Sequence, residues 1–260
     1  MTLDLISWSS LAALGVGAAS GVLSALAGVG GAVITTPGLR VLGASPEIAL
    51  GSTVPAIIPS AITGSIRYRA AGLIDERVAL WCGASGAISA FGGALVSDLV
   101  DARWLMVATA FLMLYSSFTL LRAKPRPALP HGMAVVAPAL GVIVAIGVGS
   151  GFVAGLLGVG GGLIMVPAFT LILKLDVKTT VATSLVAVAM MSVTSLIGHW
   201  LAGHIDWSFA IPLMIGVIPG ARLGSKITVM VNDQTMRRIC GGLMGIMGVI
   251  YLFRELGGIL

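Results

Sequence analysis

The chain has 260 residues, 57% of them apolar and only 10% charged, against roughly 25% charged in an ordinary soluble domain. With a mean hydropathy of +1.07, it has too few ionisable groups to make a polar shell, which excludes most cytosolic enzymes and any disordered or nucleic-acid-binding chain. The net charge of +5 comes from cations in short links between apolar runs, where they act as topology determinants.

The first apolar run covers about 8–43, too long for one membrane span of about 20 residues. Gly28-Val29-Gly30-Gly31 breaks it near its middle. Runs over about 46–66, 78–97 and 104–121 follow, each suited to one helix. The link Arg122–His131 carries three prolines and three cations. The order then recurs: a long run over about 133–173 broken by Gly158-Val159-Gly160-Gly161, then about 178–200, 208–230 and 236–253.

The recurrence extends to the residues themselves. Ser20–Pro37 and Ser150–Pro167 match at nine of 18 positions without a gap, at an offset of 130. One residue further on, Ser52-Thr53 answers Thr183-Ser184, Gly72-Leu73-Ile74-Asp75 answers Gly203-His204-Ile205-Asp206, and Gly93 answers Gly224. Duplication with weak residual identity is common in transporter folds. The expected organisation is a membrane repeat over 1–125, a cytoplasmic linker over 126–131 and a second membrane repeat over 132–260.

Charge counting chooses between two topologies. If each long run crosses once, the links on the N-terminal side hold seven cations and the other side eight, and the positive-inside rule is silent. If each long run folds back at G-V-G-G, the N-terminal side keeps Arg40, Arg103 and Arg254, and the other side collects the remaining twelve. The second arrangement is preferred. It puts both termini outside the cytoplasm and inverts the two repeats, which places a binding site at their interface near the midplane.

A helix interrupted in hydrocarbon leaves backbone groups unpaired at several kcal/mol each, so the break must face protein or a wet cavity. A half-helix starting after Gly30-Gly31, or after Gly160-Gly161-Gly162, aims free N–H groups and its positive dipole end at that cavity, an anion site without a basic side chain. Hydroxyls of Ser52-Thr53 and Thr183-Ser184 can donate to an oxyanion or back-bond to their own helix. The candidate substrate-binding residues are therefore Gly30, Gly31, Ser52, Thr53, Gly160, Gly161, Thr183 and Ser184.

Other features have plainer readings. The pairs Gly17/Gly21, Gly147/Gly151 and Gly241/Gly245 fit close helix packing. Pro37 and Pro167 are read as half-helix ends or starts. The ten acidic residues lie near helix ends or links, so no midplane carboxylate marks a cation relay. His199 and His204 are read as a solvated or interfacial pair in one link. Arg222 and Lys226 snorkel or form a positive vestibule. The five tryptophans fit interfacial belts. Cys82 and Cys240 read as small core residues. A secretory signal is not expected, since no cation precedes Ala25-Leu26-Ala27 and the apolar run continues past it. There is no Ser/His/Asp spacing, HExxH, CxxC or P-loop lysine, so the chain is not read as an enzyme and no cofactor or metal site is expected.

The duplicated S-G-x-x-x-x-L-x-G-V-G-G motif, ending in Pro37 or Pro167, resembles the TauE/SafE, or sulfite exporter, family. So do the Thr/Ser pair and the G-x-I-D element Gly203–Asp206. The resemblance spans 11–253, although Ala32 stands where the second copy has Gly162 and the first G-x-I-D element lacks the histidine. It implies a multi-pass inner (plasma) membrane carrier, exporting a small sulfur-containing anion such as sulfite, sulfoacetate or another organosulfonate. The expected fold is all-α and polytopic, with two inverted repeats, each a glycine-broken hairpin plus three transmembrane helices, eight to ten helical segments in all. The expected mechanism is alternating access; the expected partners are the anion and the lipid bilayer, and a homo-oligomer stays open. A channel or carrier for an inorganic cation or other small solute is the alternative, and a membrane-embedded enzyme or assembly subunit is a second.

Overall fold

The structure, a computed structural model, describes residues 8–122 and 138–257; the linker over 126–131 lies outside them. All regular elements among the described residues are helices: α1 (Trp8–Ala27), α2 (Ala32–Val41), α3 (Pro46–Ala70), α4 (Glu76–Ser97), α5 (Ala102–Arg122), α6 (Leu140–Leu157), α7 (Gly162–Leu171), α8 (Val177–Leu201), α9 (Trp207–Met230) and α10 (Asp233–Gly257). Eight are long and apolar enough to cross a membrane. The exceptions, α2 and α7, have ten residues each, about 15 Å of helix against a hydrocarbon core of about 30 Å. The chain is an all-α polytopic membrane protein.

Polar residues at the links start the long helices. Ser45, Asp75, Asp176 and Asp206 each accept a backbone N–H from the first turn of α3, α4, α8 and α9, satisfying donors that have no partner inside the helix. Asp75 and Asp206 hold corresponding places in the two halves.

Glycine contacts give the packing directions. Each long run folds back: α2 returns along α1, with Gly31 against Ser20 and Gly38 against Val16. Likewise α7 returns along α6, with Gly161 against Ser150 and Ala154. α1 lies beside α9 in the same direction, Gly17 meeting Leu213 and Gly21 meeting Val217 and Ala221. α6 lies beside α4 in the same direction, Gly147 meeting Cys82 and Gly155 meeting Ala90. α5 and α10 run antiparallel, Gly241 against Leu121 and Gly248 against Leu114. The three predicted glycine pairs are thus all packing seams, each belonging to contact between the two halves.

These contacts are reciprocal. α1 of the first half packs on α9 of the second, and α6 of the second packs on α4 of the first. α3 starts beside the start of α9, and α8 beside the start of α4. Since α3 and α4 are joined by a tight turn and run oppositely, each helix runs against its counterpart in the other half. Trp8 and the end of α10 fall on the same side of the bundle.

Two sequence expectations need correction. Pro37 and Pro167 lie inside α2 and α7 rather than at their ends. Neighbouring helices and local adjustments satisfy the carbonyl a proline frees in such a setting. His199 is not in a solvated link: α8 continues to Leu201 before Gly203 turns the chain at φ +74°. That leaves His199 in the last turn, 1% exposed. All five tryptophans are exposed toward the surroundings of the bundle, and both cysteines are buried and unpaired with each other.

Candidate functional site

The two G-V-G-G segments cross at the centre of the bundle. A Cβ on Gly30 would stand 3.0 Å from both Ile57 Cγ2 and Val188 Cγ1, and one on Gly160 3.0 Å from Val188 Cγ1 and 3.3 Å from Ile57 Cδ1. Ile57 and Val188 are themselves counterparts, twelfth residues of α3 and α8. Two equivalent breaks therefore touch one pair of equivalent side chains, midway along the two longest crossing helices of the interior. The backbones meet as well, Gly162 lying against Gly28 and Val29. The flanks repeat the exchange, Gly28 lying against Val181 of α8 and Gly158 against Leu50 of α3.

Backbone conformation explains the glycines here. Gly30 and Gly31 have φ of +86° and +90°, and Gly160 and Gly161 +78° and +77°, the left-handed region that side chains disfavour. Two such residues in succession reverse the chain between the half-helices. Gly31 and Gly161 cap α2 and α7 with no side-chain hydrogen bond. Among the described residues, the N–H groups of Val29, Gly30 and Gly31, and of Val159, Gly160 and Gly161, donate to no backbone carbonyl. All six residues are buried. α2 and α7 leave the crossing in opposite directions, so their positive dipole ends converge there. The groups that meet at the crossing are neutral: glycine, valine and isoleucine.

The four predicted hydroxyls are fully buried and divide by role. Ser184 donates to the carbonyls of Gly28 and Val181, both at 3.0 Å, so it reaches the glycine segment of the other half. Thr53 donates to Ala49 O of its own helix at 2.9 Å and lies 3.4 Å from the Thr36 hydroxyl of α2. Ser52 accepts the N–H of Asp206 at 2.8 Å, and Thr183 that of Asp75 at 3.0 Å. Those two sit at the helix starts, joined to the G-x-I-D turns of the opposite half.

Two serines outside the predicted site residues stand beside the first break. Ser20 donates to Gly31 O at 2.6 Å. Ser24, one turn on, faces the Gly31 position; it is 1% exposed, and among the described residues its hydroxyl has no hydrogen-bond partner. An unpaired buried hydroxyl costs about 1–3 kcal/mol, a reason for it to await a ligand. The signal was the i, i+4 spacing of Ser20 and Ser24 into the break. The counterpart of Ser24 is Ala154, so the two tips differ chemically. Among the described residues no group of three or more His, Cys, Asp or Glu is arranged to hold a metal.

Comparison with known proteins agrees with this architecture. The chain is 27% identical to a probable membrane transporter protein, YunE, of Bacillus subtilis (strain 168), over 85% of this chain and 89% of that one. It is 25% identical to a probable membrane transporter protein of Xylella fastidiosa (strain 9a5c), over 95% and 96%. It is 23% identical to a probable membrane transporter protein, MJ0441, of Methanocaldococcus jannaschii, over 91% and 93%. No solved structure matches the chain. Residues 13–251 match the family described as "Sulfite exporter TauE/SafE". Hence the chain belongs to the TauE/SafE family and is a membrane transporter, not an enzyme.

Proposed function

We propose that the protein is an inner-membrane secondary transporter that exports a small sulfur-containing anion, such as sulfite, sulfoacetate or another organosulfonate. The observation that carries this reading is the central crossing, where two half-helix N-termini without side-chain caps start beside glycine segments that touch the same Ile57 and Val188, and where, among the described residues, the N–H groups of 29–31 and 159–161 donate to no backbone carbonyl. Such ends favour a negative solute, by amide donation and by the dipole. Gly30, Gly31, Gly160 and Gly161 form the cradle. Ser184 and Thr53 hold its walls, Ser24 supplies a free donor, and Ser52 and Thr183 fix the helices that carry them.

The two halves, 1–125 and 132–260, are read as inverted repeats joined by a cytoplasmic linker at 126–131; the antiparallel course of counterpart helices supports this. The fold-back puts twelve cations on one face and three on the other, so the rich face is cytoplasmic and both termini lie outside. With the crossing buried, access alternates by rocking one part of the bundle against the other.

Thermal-shift measurements on the purified protein against sulfite, sulfate, thiosulfate, sulfoacetate and taurine test the reading, followed by liposome flux. Ligand binding stabilises by mass action, so sulfonates raise the melting temperature and compete with one another in flux. A response to sodium or a divalent cation alone, with none to any anion, overturns it.

A further inference from the structure

His199, buried in the last turn of α8, sits in a chain of contacts that nothing in the anion site requires. Its Nε2 lies 2.8 Å from the carbonyl of Gly155 in α6. Its Nδ1 lies 3.4 Å from Nδ1 of His204, and Nε2 of His204 lies 3.2 Å from Oδ1 of Asp98. Donor and acceptor roles follow in order. A carbonyl only accepts, so His199 carries its proton on Nε2, and its Nδ1 accepts when the ring is neutral. His204 then donates from Nδ1. With a proton on Nε2 as well, His204 is an imidazolium facing the Asp98 carboxylate; without it, Asp98 is the protonated acid. Either way the arrangement holds one proton more than two neutral rings and a carboxylate. When that proton leaves, His204 keeps a single N–H and satisfies His199 or Asp98, not both.

The other half shows that the mechanical part of this contact needs no histidine. The counterparts of His199 and Gly155 are Tyr68 and Ala25, and the Tyr68 hydroxyl donates to the Ala25 carbonyl. Both carbonyls belong to residues three places before a break, so each bond ties a long helix to the root of a glycine tip. Tyrosine does this without titrating near neutral pH. The counterpart of His204 is Leu73 and that of Asp98 is Val229. One tip is thus anchored by a fixed bond and the other by a bond that reports a proton.

The proton has an entrance. Asp98 and His204 line a cleft of about 480 Å³ together with Glu47, Asp101 and Arg103. These are the charged groups that α3, the α4–α5 link and the start of α5 turn toward the pair; among the described residues α6 brings the Gly155 carbonyl, and Asp206, two residues after His204, caps α9. Two carboxylates beside the pair and one arginine give a cleft that gathers protons.

We propose that Asp98, His204 and His199 form a proton-binding site tied to the second glycine break, and that its proton is the ion coupled to anion movement. This rests on the anion-carrier reading above. The cleft opens on the face where α1 starts and α10 ends. A proton entering there while an anion leaves moves positive charge inward on both counts, so a membrane potential negative inside drives the exchange.

Two measurements test it separately. In the solubilised wild-type protein, nitrogen-15 histidine spectra between about pH 5 and 8 are expected to show His199 as the Nε2–H tautomer and His204 doubly protonated at the acid end. Asp98→Asn is expected to move the nitrogen-15 resonance of His204 Nε2 while leaving the His199 tautomer unchanged. A His199 ring protonated on Nδ1, or a His204 Nε2 resonance unmoved by Asp98→Asn, overturns the site. For coupling, His199→Tyr combined with His204→Leu takes the residues of the first half at these two positions, with an unchanged melting temperature required of the variant. In liposomes it is expected to retain downhill sulfoacetate exchange and to lose accumulation driven by a pH gradient. Unchanged accumulation overturns the coupling. If neither protein moves any anion, the carrier reading fails by itself, and the histidine spectra still decide the proton site.

Discussion

The Ser52 hydroxyl accepts the backbone N–H of Asp206 at 2.8 Å, and the same bond is made in reverse by Thr183 and Asp75 at 3.0 Å. Each hydroxyl belongs to one half and each amide to the other. Asp206 and Asp75 cap α9 and α4. A side chain at the start of one long helix therefore fixes where a helix of the opposite half begins.

Removing either acceptor strands a half-buried amide. Ser52→Ala and Thr183→Val are each expected to cost about 1–3 kcal/mol and to lower the melting temperature in detergent. The two share no partner, so the double variant adds their effects. Loss of sulfoacetate affinity without loss of stability would instead put these hydroxyls on the anion.

At the crossing, substitution acts through conformation and space together. Gly160→Ala places a Cβ at φ +78°, 3.0 Å from Val188 Cγ1, with a left-handed penalty of about 1–2 kcal/mol. Leucine at Gly30 or Gly160 fills the cradle. Both leucine variants are expected to insert in the membrane, measured by protease protection, and to lose anion flux. Flux surviving both changes moves the site elsewhere.

The helix seams give a control with the same chemistry. On Gly155 a Cβ would collide with the backbone of Ala90 and Ala94, whereas on Gly149 or Gly15 it meets nothing within 4 Å. Gly155→Ala is expected to separate α6 from α4 and lower the melting temperature by several degrees. Gly149→Ala and Gly15→Ala are expected to be neutral or to stabilise by about 0.5–1 kcal/mol through helix propensity.

Topology is checked by fusion. With the proposed cation-rich face in the cytoplasm, a C-terminal alkaline phosphatase fusion is expected to be active and a C-terminal green fluorescent protein fusion dark. A fusion at Arg122 is expected to give the opposite pair of results.

One hydroxyl distinguishes the two tips. Ser24→Ala removes an unpartnered buried hydroxyl and puts at the first tip what Ala154 already supplies at the second. It is expected to leave the melting temperature unchanged or higher while weakening anion-dependent stabilisation about tenfold, the effect of one hydrogen bond of roughly 1.4 kcal/mol, read by thermal shift against sulfoacetate concentration.

The membrane class, the helical segments and the doubled break are written in the sequence, because they rest on local quantities: length of apolar run, and glycines where only φ above zero turns the chain. The fold-back was readable too, since link charge follows parity. What local pattern cannot carry is which residues meet. That Gly30 and Gly160 share Ile57 and Val188, that Ser52 and Thr183 spend their hydroxyls on amides of the opposite half, and that His199 is buried against Gly155, all depend on segments more than a hundred residues apart in some cases, brought together by packing. Ser24 divides the same way: its spacing from Ser20 is legible in the sequence, but only the tertiary structure shows, among the described residues, a hydroxyl left buried, unpaired and beside a helix end.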